Sequence, residues 1–93
     1  GEAQVRQVFN VSRVGAIAGC YVTKGLVQRN ANVLVVRDGD VLHDGDIDSL
    51  KRFTEDVREV RQGYECGVKV ANFDDIEEGD LLQFYVMKRV EQA

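Results

Sequence analysis

The sequence predicts a small all-β domain, either an antiparallel barrel or a sandwich. Two observations carry this prediction: several short stretches alternate apolar with polar residues, and turn-forming residues recur at about 8–12-residue intervals. The chain has 93 residues, of which 44% are hydrophobic and 30% are charged. That composition suits one modest core. We therefore expect residues 1–93 to form a single domain.

Three strands are predicted in the first half of the chain. Ala16–Thr23 and Val33–Val36 are rich in apolar and β-branched residues, which favour strands. Gly19, inside the first of these, indicates a bulge or a close backbone approach. The earlier segment Ala3–Val11 alternates, and its alternation predicts one shared face for Ala3, Val5, Gln7, Phe9 and Val11.

Glycine-containing acidic segments predict turns. Asp38–Asp40 is a tight-turn signal from which Val41–His43 returns as a hairpin strand. Asp44–Asp46 has the same composition and predicts a second turn. Near the C-terminus, Asp74–Asp80 predicts a connection with at most one turn of helix. It separates the last two predicted strands, Tyr64–Ala71 and Leu81–Val90.

The segment Asp46–Arg61 has two interpretations. Its apolar residues recur at three- and four-residue steps, which favours a helix that Asp46 would cap. The alternative is a strand Ile47–Phe53, a short loop at 54–56 and a second strand Val57–Arg61. The apolar residues that set the spacing are Ile47, Leu50, Phe53, Val57 and Val60.

Charge is unevenly distributed along an acidic chain. Twelve Lys and Arg against sixteen Asp and Glu give a net charge of −4, which disfavours general nucleic-acid binding. Residues 38–48 and 74–80 hold ten of the acids, whereas five basic residues lie between these segments. The pattern suits either ordinary solvated strand faces or a basic patch that binds one anion locally. The five basic residues are Lys51, Arg52, Arg58, Arg61 and Lys69.

No membrane or secretory segment is expected. The longest apolar run, Val14–Val22, has nine residues, whereas a spanning helix needs about 20. The absence of an initial Met indicates a fragment of a longer protein. Cys20 and Cys66 are too few for a disulfide scaffold, so we expect free thiols in a reducing cytoplasm.

Motifs for catalysis, metals or cofactors are not found. The chain has neither of the glycine-rich phosphate-binding motifs, so nucleotide hydrolysis and a nucleotide cofactor are not expected. His43 is the single histidine, which excludes a His-based metal cluster and leaves a Cys–His nucleophile pair disfavoured. The acids at 44, 46, 48 and 55 have calcium-loop spacing, but Ser49 occupies the required glycine position. We expect no metal.

Three groups of residues resemble a known family. In order and spacing, from Gln4 to Val90, they are similar to the extreme C-terminal domain of bacterial translation initiation factor 2. The looser frame of glycines and Val/Ile positions also resembles the second domain of elongation factor Tu. The groups are GAIAGCYV at 15–22 with Gly25; IDSLKRF at 47–53 with VREV at 57–60 and GYECG at 63–67; and Phe73-x-x-Ile76-x-x-Gly79-Asp80.

The resemblance implies a closed antiparallel β-barrel of six to seven strands, with strand–loop–strand at Asp46–Arg61. It implies a monomeric, non-catalytic module of a larger translational GTPase, which binds the formylmethionyl-CCA end of initiator tRNA and reaches the ribosome through the parent factor. The alternative is a barrel that docks on the ribosome or a partner domain without aminoacyl recognition. The family's recognition positions fall on Cys20, Lys51, Arg52, Phe53, Glu65, Cys66 and Gly67.

These positions suggest roles in amide recognition. A partly dry slot accepts the neutral formamide and resists the ammonium of an unformylated amino acid. The two cysteines would line the methionine thioether, and Gly67 would let the ligand approach the backbone. Lys51 and Arg52 would hold phosphates or a carbonyl, and Glu65 would accept the formamide N–H or position Arg52 by an ion pair. Relatives often carry tyrosine at Phe53 and lysine at Thr54.

Overall fold

Nine strands run through residues 1–86, the part of the chain that the computed structural model describes. These residues form no helix. The strands are β1 (Glu2–Val11), β2 (Gly15–Lys24), β3 (Leu26–Gln28), β4 (Asn32–Arg37), β5 (Asp40–Arg52), β6 (Glu55–Asp56), β7 (Glu59–Arg61), β8 (Glu65–Val70) and β9 (Leu81–Tyr85).

Six strands form a closed antiparallel barrel. Their order is β4-β9-β1-β2-β8-β5, and pairing of β4 with β5 closes the ring. β6 extends the sheet beyond β5, while β3 and β7 form a separate two-stranded sheet. The predicted barrel of six to seven strands is confirmed. Closure buries one face of every barrel strand, and the fully buried core includes Val5, Val22, Val33, Val35, Leu50, Val68, Val70 and Leu82.

A bulge at Arg6 in β1 changes which side chains face outward. Val5 and Gln7 pair with consecutive residues of β2, so Arg6 is the extra residue between them. Val5 and Val8 pack against the core, whereas Gln7 and Phe9 are exposed. The prediction that Val5, Gln7 and Phe9 share one face is therefore wrong beyond the bulge.

A second bulge, at Asp48 in β5, explains the helical spacing of Asp46–Arg61. The register against β8 shifts between residues 47 and 49, so Ile47 and Leu50 both face the core although they are three positions apart. The segment forms strands, and the helix is wrong. The strand–loop–strand arrangement is confirmed, except that Glu55–Asp56, expected in the loop, pair with the end of β5 as β6.

The turn predicted at Asp44–Asp46 is also wrong. β5 continues through it because its first half pairs with β4 and its second half with β8. Gly45 instead permits a close side-chain approach: an added Cβ would lie 2.6 Å from His43 Nε2, which is 3.0 Å from the Ala71 carbonyl oxygen. The other predicted turn is confirmed, since Asp38 and Gly39 adopt positive φ between β4 and β5.

An ion pair between Arg37 and Asp80 stabilises the irregular connection at residues 71–80. No turn of helix forms in this connection. The Asp80 carboxylate is 2% exposed and accepts hydrogen bonds from Arg37 Nε at 2.8 Å and Nη2 at 2.9 Å. It also accepts the Glu77 backbone N–H at 2.9 Å. Burial by itself raises the pKa of Asp80, but these hydrogen bonds outweigh it and hold the pKa below its ordinary value.

A second ion pair, between Lys69 and Asp74, stabilises the start of the same connection. The buried Lys69 Nζ lies 2.7 Å from Asp74 Oδ1, which also accepts the Ala16 backbone N–H at 3.1 Å. The Lys69 hydrogen bond and then that of Ala16 lower the pKa of Asp74. β9 follows, and residues 87–90 of the predicted strand Leu81–Val90 lie outside the described residues.

Candidate functional site

The predicted site residues meet at one trough across β1, β2, β8 and the β5–β6 hairpin. Its cavity volume is about 770 Å³. The structure brings together residues from three separate parts of the sequence, and their role in binding stays a prediction. All seven predicted residues border the trough: Cys20, Lys51, Arg52, Phe53, Glu65, Cys66 and Gly67.

Two glycines form the floor of the trough. Gly19 of β2 pairs directly with Gly67 of β8, and both occupy outward positions between buried residues. An added Cβ would lie 3.2 Å from Phe9 Cε2 at Gly19 and 3.6 Å from Ile17 Cγ2 at Gly67. The two glycines contribute no side chain, and the Phe9 and Ile17 side chains occupy part of the space above them. A ligand can therefore approach the backbone beside these two side chains more closely than it could if the floor carried side chains of its own.

The pairing register places Gln7 and Lys51 at opposite ends of this floor. Gln7 pairs with Gly19, Gly19 with Gly67, and Gly67 with Lys51, so the four residues form one row across four strands. Neighbouring strands lie about 4.8 Å apart, which makes the row roughly 14 Å long. This row of the floor therefore crosses the strands at right angles.

Arg52 is held by aromatic rings at the β5–β6 end. Its Cζ lies 4.8 Å from the centroid of Tyr64 and 5.7 Å from that of Phe53, within cation–π range. The Arg52 Nε is fully buried, and within residues 1–86 no acceptor lies at hydrogen-bond distance from it. Glu65 forms no ion pair with Arg52 in this part of the chain, and its two suggested roles stay predictions.

Phe53 projects into solvent beside Arg52. It is the first residue of the two-residue turn joining β5 to β6, and its side chain is 93% exposed. Its φ of +58° lies in the left-handed region that non-glycine residues rarely adopt. A large apolar ring is thus presented at the rim of a cationic trough.

Comparison with known proteins identifies the barrel. The sequence model of elongation factor Tu domain 2 matches residues 15–83. The chain belongs to this domain 2 family. It is 57% identical over 93 residues to translation initiation factor IF-2 of Geobacillus thermodenitrificans and to that of Geobacillus stearothermophilus, and 54% identical over 92 residues to that of Listeria monocytogenes. These matches cover 99–100% of this chain but only 12–13% of the relatives, so the chain spans about an eighth of their length.

The trough of this domain 2 barrel carries a charge opposite to that of the whole chain. Its lining includes three cations, Arg6, Lys51 and Arg52, and one carboxylate, Glu65, whereas the chain as a whole has a net charge of −4. Arg6, the bulged residue of β1, lies over the Tyr21 ring with its Cζ 4.5 Å from the centroid. Asp56 and Glu55 of β6 pair across the hairpin with Lys51 and Arg52. They do not border the trough, so the lining itself keeps an excess of positive charge and favours an anionic ligand.

The two cysteine side chains point into the barrel. Cys20 and Cys66 are directly paired across β2 and β8 and belong to the hydrophobic core, 2% and 6% exposed. Burial and then the neighbouring Cys66 raise the pKa of the Cys20 thiol, and burial raises that of Cys66 to about 11. The thiols therefore lie beneath the floor of the trough. The prediction that they form its exposed walls is wrong, because both side chains face the core.

Phe9, Ile17 and Tyr64 line the trough although the sequence did not point to them. Phe9 pairs with Ile17 on the outer face of the domain 2 barrel. The outward direction of Phe9 depends on the bulge at Arg6, for which the sequence offers no signal. Ile17 faces outward through the regular alternation of β2. The exposed aromatic Tyr64, adjacent to Glu65, is the residue that proximity in sequence could have identified.

Neither a metal cluster nor a membrane-spanning helix occurs in residues 1–86. Within that range no three His, Cys, Asp or Glu side chains lie close enough together to hold an ion. Three of the acids that suggested a calcium loop lie along β5, and the fourth, Glu55, lies on β6. On β5, Asp44 accepts a hydrogen bond from the Tyr85 hydroxyl at 2.6 Å and Asp46 accepts one from Asn32 at 2.7 Å. None of the described residues forms a helix of the length and hydrophobicity needed to cross a bilayer.

Proposed function

We propose that this domain binds the formylmethionyl-CCA end of initiator tRNA, as a non-catalytic module of a longer translation initiation factor that makes the ribosome contacts. The observation that carries the proposal is a backbone-floored, cationic trough on an otherwise acidic barrel. Such a surface suits one short anionic ligand rather than a length of nucleic acid. Relatives at 57% identity are named translation initiation factor IF-2, which supports the same role.

Charge gives the trough a means to select the formylated amino acid. An unformylated α-amine is partly protonated at neutral pH, whereas a formamide is neutral and offers one N–H donor and one carbonyl acceptor. The ammonium would enter beside Arg6, Lys51 and Arg52 and experience like-charge repulsion. Formylation removes that repulsion and the cost of desolvating a charge.

Each polar residue then has a distinct task. The guanidinium of Arg52, whose Nε has no acceptor among residues 1–86, donates to a phosphate or to the formyl carbonyl. Lys51, at one end of the glycine floor, pairs with a backbone phosphate. Glu65 accepts the formamide N–H, since it has no ion pair within the described residues. Phe53 offers an exposed ring on which the terminal adenine stacks.

The test is a titration of the 93-residue chain with two synthetic ligands. Both are amide-linked CCA trinucleotides, one carrying N-formylmethionine and the other methionine with its free amine. Amide resonances around Gly19 and Gly67 should shift, and the formylated ligand should bind about tenfold or more tightly. Equal affinity for the two ligands would contradict amide recognition. Binding to neither ligand would favour a barrel that only docks on the ribosome or a neighbouring domain.

Arg52→Ala is the decisive variant in that titration. Loss of a charge-assisted hydrogen bond should weaken binding by about ten- to a hundredfold, and loss of one phosphate contact should flatten the salt dependence by roughly 0.7 in log–log slope. Arg58→Ala is the matched control, because it removes an exposed arginine that does not border the trough. Binding that is unchanged by Arg52→Ala would remove this residue from the site.

A further inference from the structure

Aliphatic side chains cover part of the outer surface of the barrel at β4 and β9. On β4, Val33 and Val35 are buried, and the alternating residues Leu34 and Val36 point outward. Leu81 of β9 points outward in the same way. Outward positions of an antiparallel sheet are ordinarily polar, because that face meets water. Aliphatic residues at these positions therefore indicate a contact surface.

Strand pairing joins these side chains into one patch. Val36 pairs with Leu81 of β9 and with Val41 of β5, which is 57% exposed. Leu42, the extra residue of a bulge in β5, is 40% exposed beside them. With strands about 4.8 Å apart and residues about 3.3 Å apart, the patch is roughly 10 Å wide and 7 Å deep. These residues form the aliphatic face: Leu34, Val36, Val41, Leu42 and Leu81.

The aliphatic face and the trough lie on opposite sides of the barrel. In the closed ring β4-β9-β1-β2-β8-β5, β4 is three strands from β2 and β9 is three strands from β8. None of the five residues of the aliphatic face borders the trough. A partner on this face leaves the trough open, so both surfaces can be occupied at once.

Carboxylates lie at the rim of the aliphatic face. Asp44 pairs directly with Leu34, and Asp38 and Asp40 lie at the tip of the β4–β5 hairpin. The cation of this hairpin, Arg37, already forms ion pairs with three carboxylates. The rim is therefore negatively charged, which favours a basic partner and disfavours nucleic acid.

The sheet topology decides which kind of element can cover this face. β4 pairs with both β5 and β9, and β9 pairs with both β4 and β1, so neither strand has a free edge to which a strand could be added. A partner must instead pack as a layer over the side chains. A helix is about 10 Å wide, and its residues i and i+4 lie about 6 Å apart, which matches the patch. A second copy of this chain suits the face poorly, because a two-fold contact would bring two acidic rims together.

We propose that the aliphatic face binds a basic amphipathic helix of a partner protein. The aliphatic stripe of that helix packs on Val36, Val41 and Leu81, and its lysines or arginines lie beside the acidic rim. The partner gains apolar burial from the stripe and specificity from the complementary charges.

The test uses the 93-residue chain and three synthetic helical peptides of about 18 residues, or five turns. The first has a leucine stripe flanked by lysines, the second has glutamate in place of lysine, and the third has glutamine in place of leucine. Only the first should bind, with saturation below roughly 1 mM, and it should shift amide resonances of β4, β9 and the start of β5. No binding of the first peptide, or equal binding of the first and third, would overturn the proposal.

Val41→Lys is the decisive variant, because it places a cation on the aliphatic face at an exposed position and leaves the core intact. It should weaken binding of the first peptide about tenfold or more. Val14→Lys is the matched control: Val14 is 48% exposed on the β1–β2 turn, and the same change of charge there should leave the affinity nearly unchanged. Equal weakening by both variants would show that charge alone attracts the peptide and would contradict the assignment of the face.

Two further measurements complete the test. Thermal melts establish that both variants are folded. Sedimentation of the chain without peptide examines the second copy as occupant. Dimers that Val41→Lys dissociates would assign the face to self-association and overturn the helix proposal, whereas a monomer that binds the first peptide supports it.

Discussion

Asp80→Asn tests the ion pair between Arg37 of β4 and the buried Asp80 of the connection before β9. Asn keeps the shape of the side chain and one carbonyl oxygen, which can still accept from Arg37 Nε. Its amide NH2, however, replaces Oδ2 and faces two donors, Arg37 Nη2 and the Glu77 N–H, each at 2.9 Å from that oxygen. With Asp80 only 2% exposed, losing these bonds should lower the free energy of unfolding by about 3–5 kcal/mol.

Urea unfolding at several pH values measures this loss and its origin. A domain of this size is typically stable by about 5–14 kcal/mol, so the variant should unfold at a much lower urea midpoint at pH 7. The folded-state pKa of Asp80 lies below its ordinary value near 3.9. Its stabilisation is therefore fully present above that ordinary value and disappears as the pH falls through the folded-state pKa. The gap between wild type and variant should be constant from pH 5 to 7 and narrow below about pH 4.

Asp75→Asn is the matched control for this experiment. Asp75 also carries a carboxylate near Arg37, but its side chain is 80% exposed and its Oδ2 lies 3.9 Å from Nη1. An exposed pair of this kind contributes at most about 1 kcal/mol. The reasoning would be refuted if Asp80→Asn and Asp75→Asn destabilised the fold equally, or if the effect of Asp80→Asn were independent of pH.

Two further predictions concern residues at the trough. Phe53→Gly should leave the free energy of unfolding unchanged or raise it by up to about 1 kcal/mol, because the φ of +58° suits glycine and the lost ring is 93% exposed. A urea titration measures this free energy, and a decrease of more than about 1 kcal/mol would contradict the prediction. The pKa of Cys66 is raised to about 11, so iodoacetamide at pH 8 should alkylate it about a hundredfold more slowly in the folded chain than in urea. Cys20 should be similarly protected. Mass spectrometry over time follows both thiols, and rapid reaction in the folded state would show that they are not buried.

Much of the barrel could be predicted from local patterns, and each error has a local physical cause. Alternation located β2 and β8 because their buried residues recur every second position, and it located β1 through the regular positions before the bulge at Arg6. It failed where a bulge inserts one residue: at Asp48 the extra residue spaces Ile47 and Leu50 like residues of a helix. Register against a distant strand decides where a bulge forms, and one sequence read locally does not contain that information.

The glycine signals illustrate the same limit. Gly39 marks a turn because the backbone there needs positive φ, whereas Gly45 marks a close approach of His43 within a continuous strand. Both are flanked by aspartates, so composition cannot separate the two uses. The resemblance to known proteins supplied a candidate site that the fold assembles in one trough. It could not supply the directions of Cys20 and Cys66, which depend on strand register.

The position of the glycine floor on the outside of a closed barrel has a consequence for the timing of binding. Gly19 and Gly67 belong to paired strands of the barrel wall, and the trough above them opens to solvent. Among residues 1–86, no strand must separate and no segment must move aside for a ligand to enter or leave. Encounter with the cationic surface should therefore set the association rate, and contacts along the trough should set the residence time. A ligand of this trough can therefore be bound quickly and released without unfolding of the barrel.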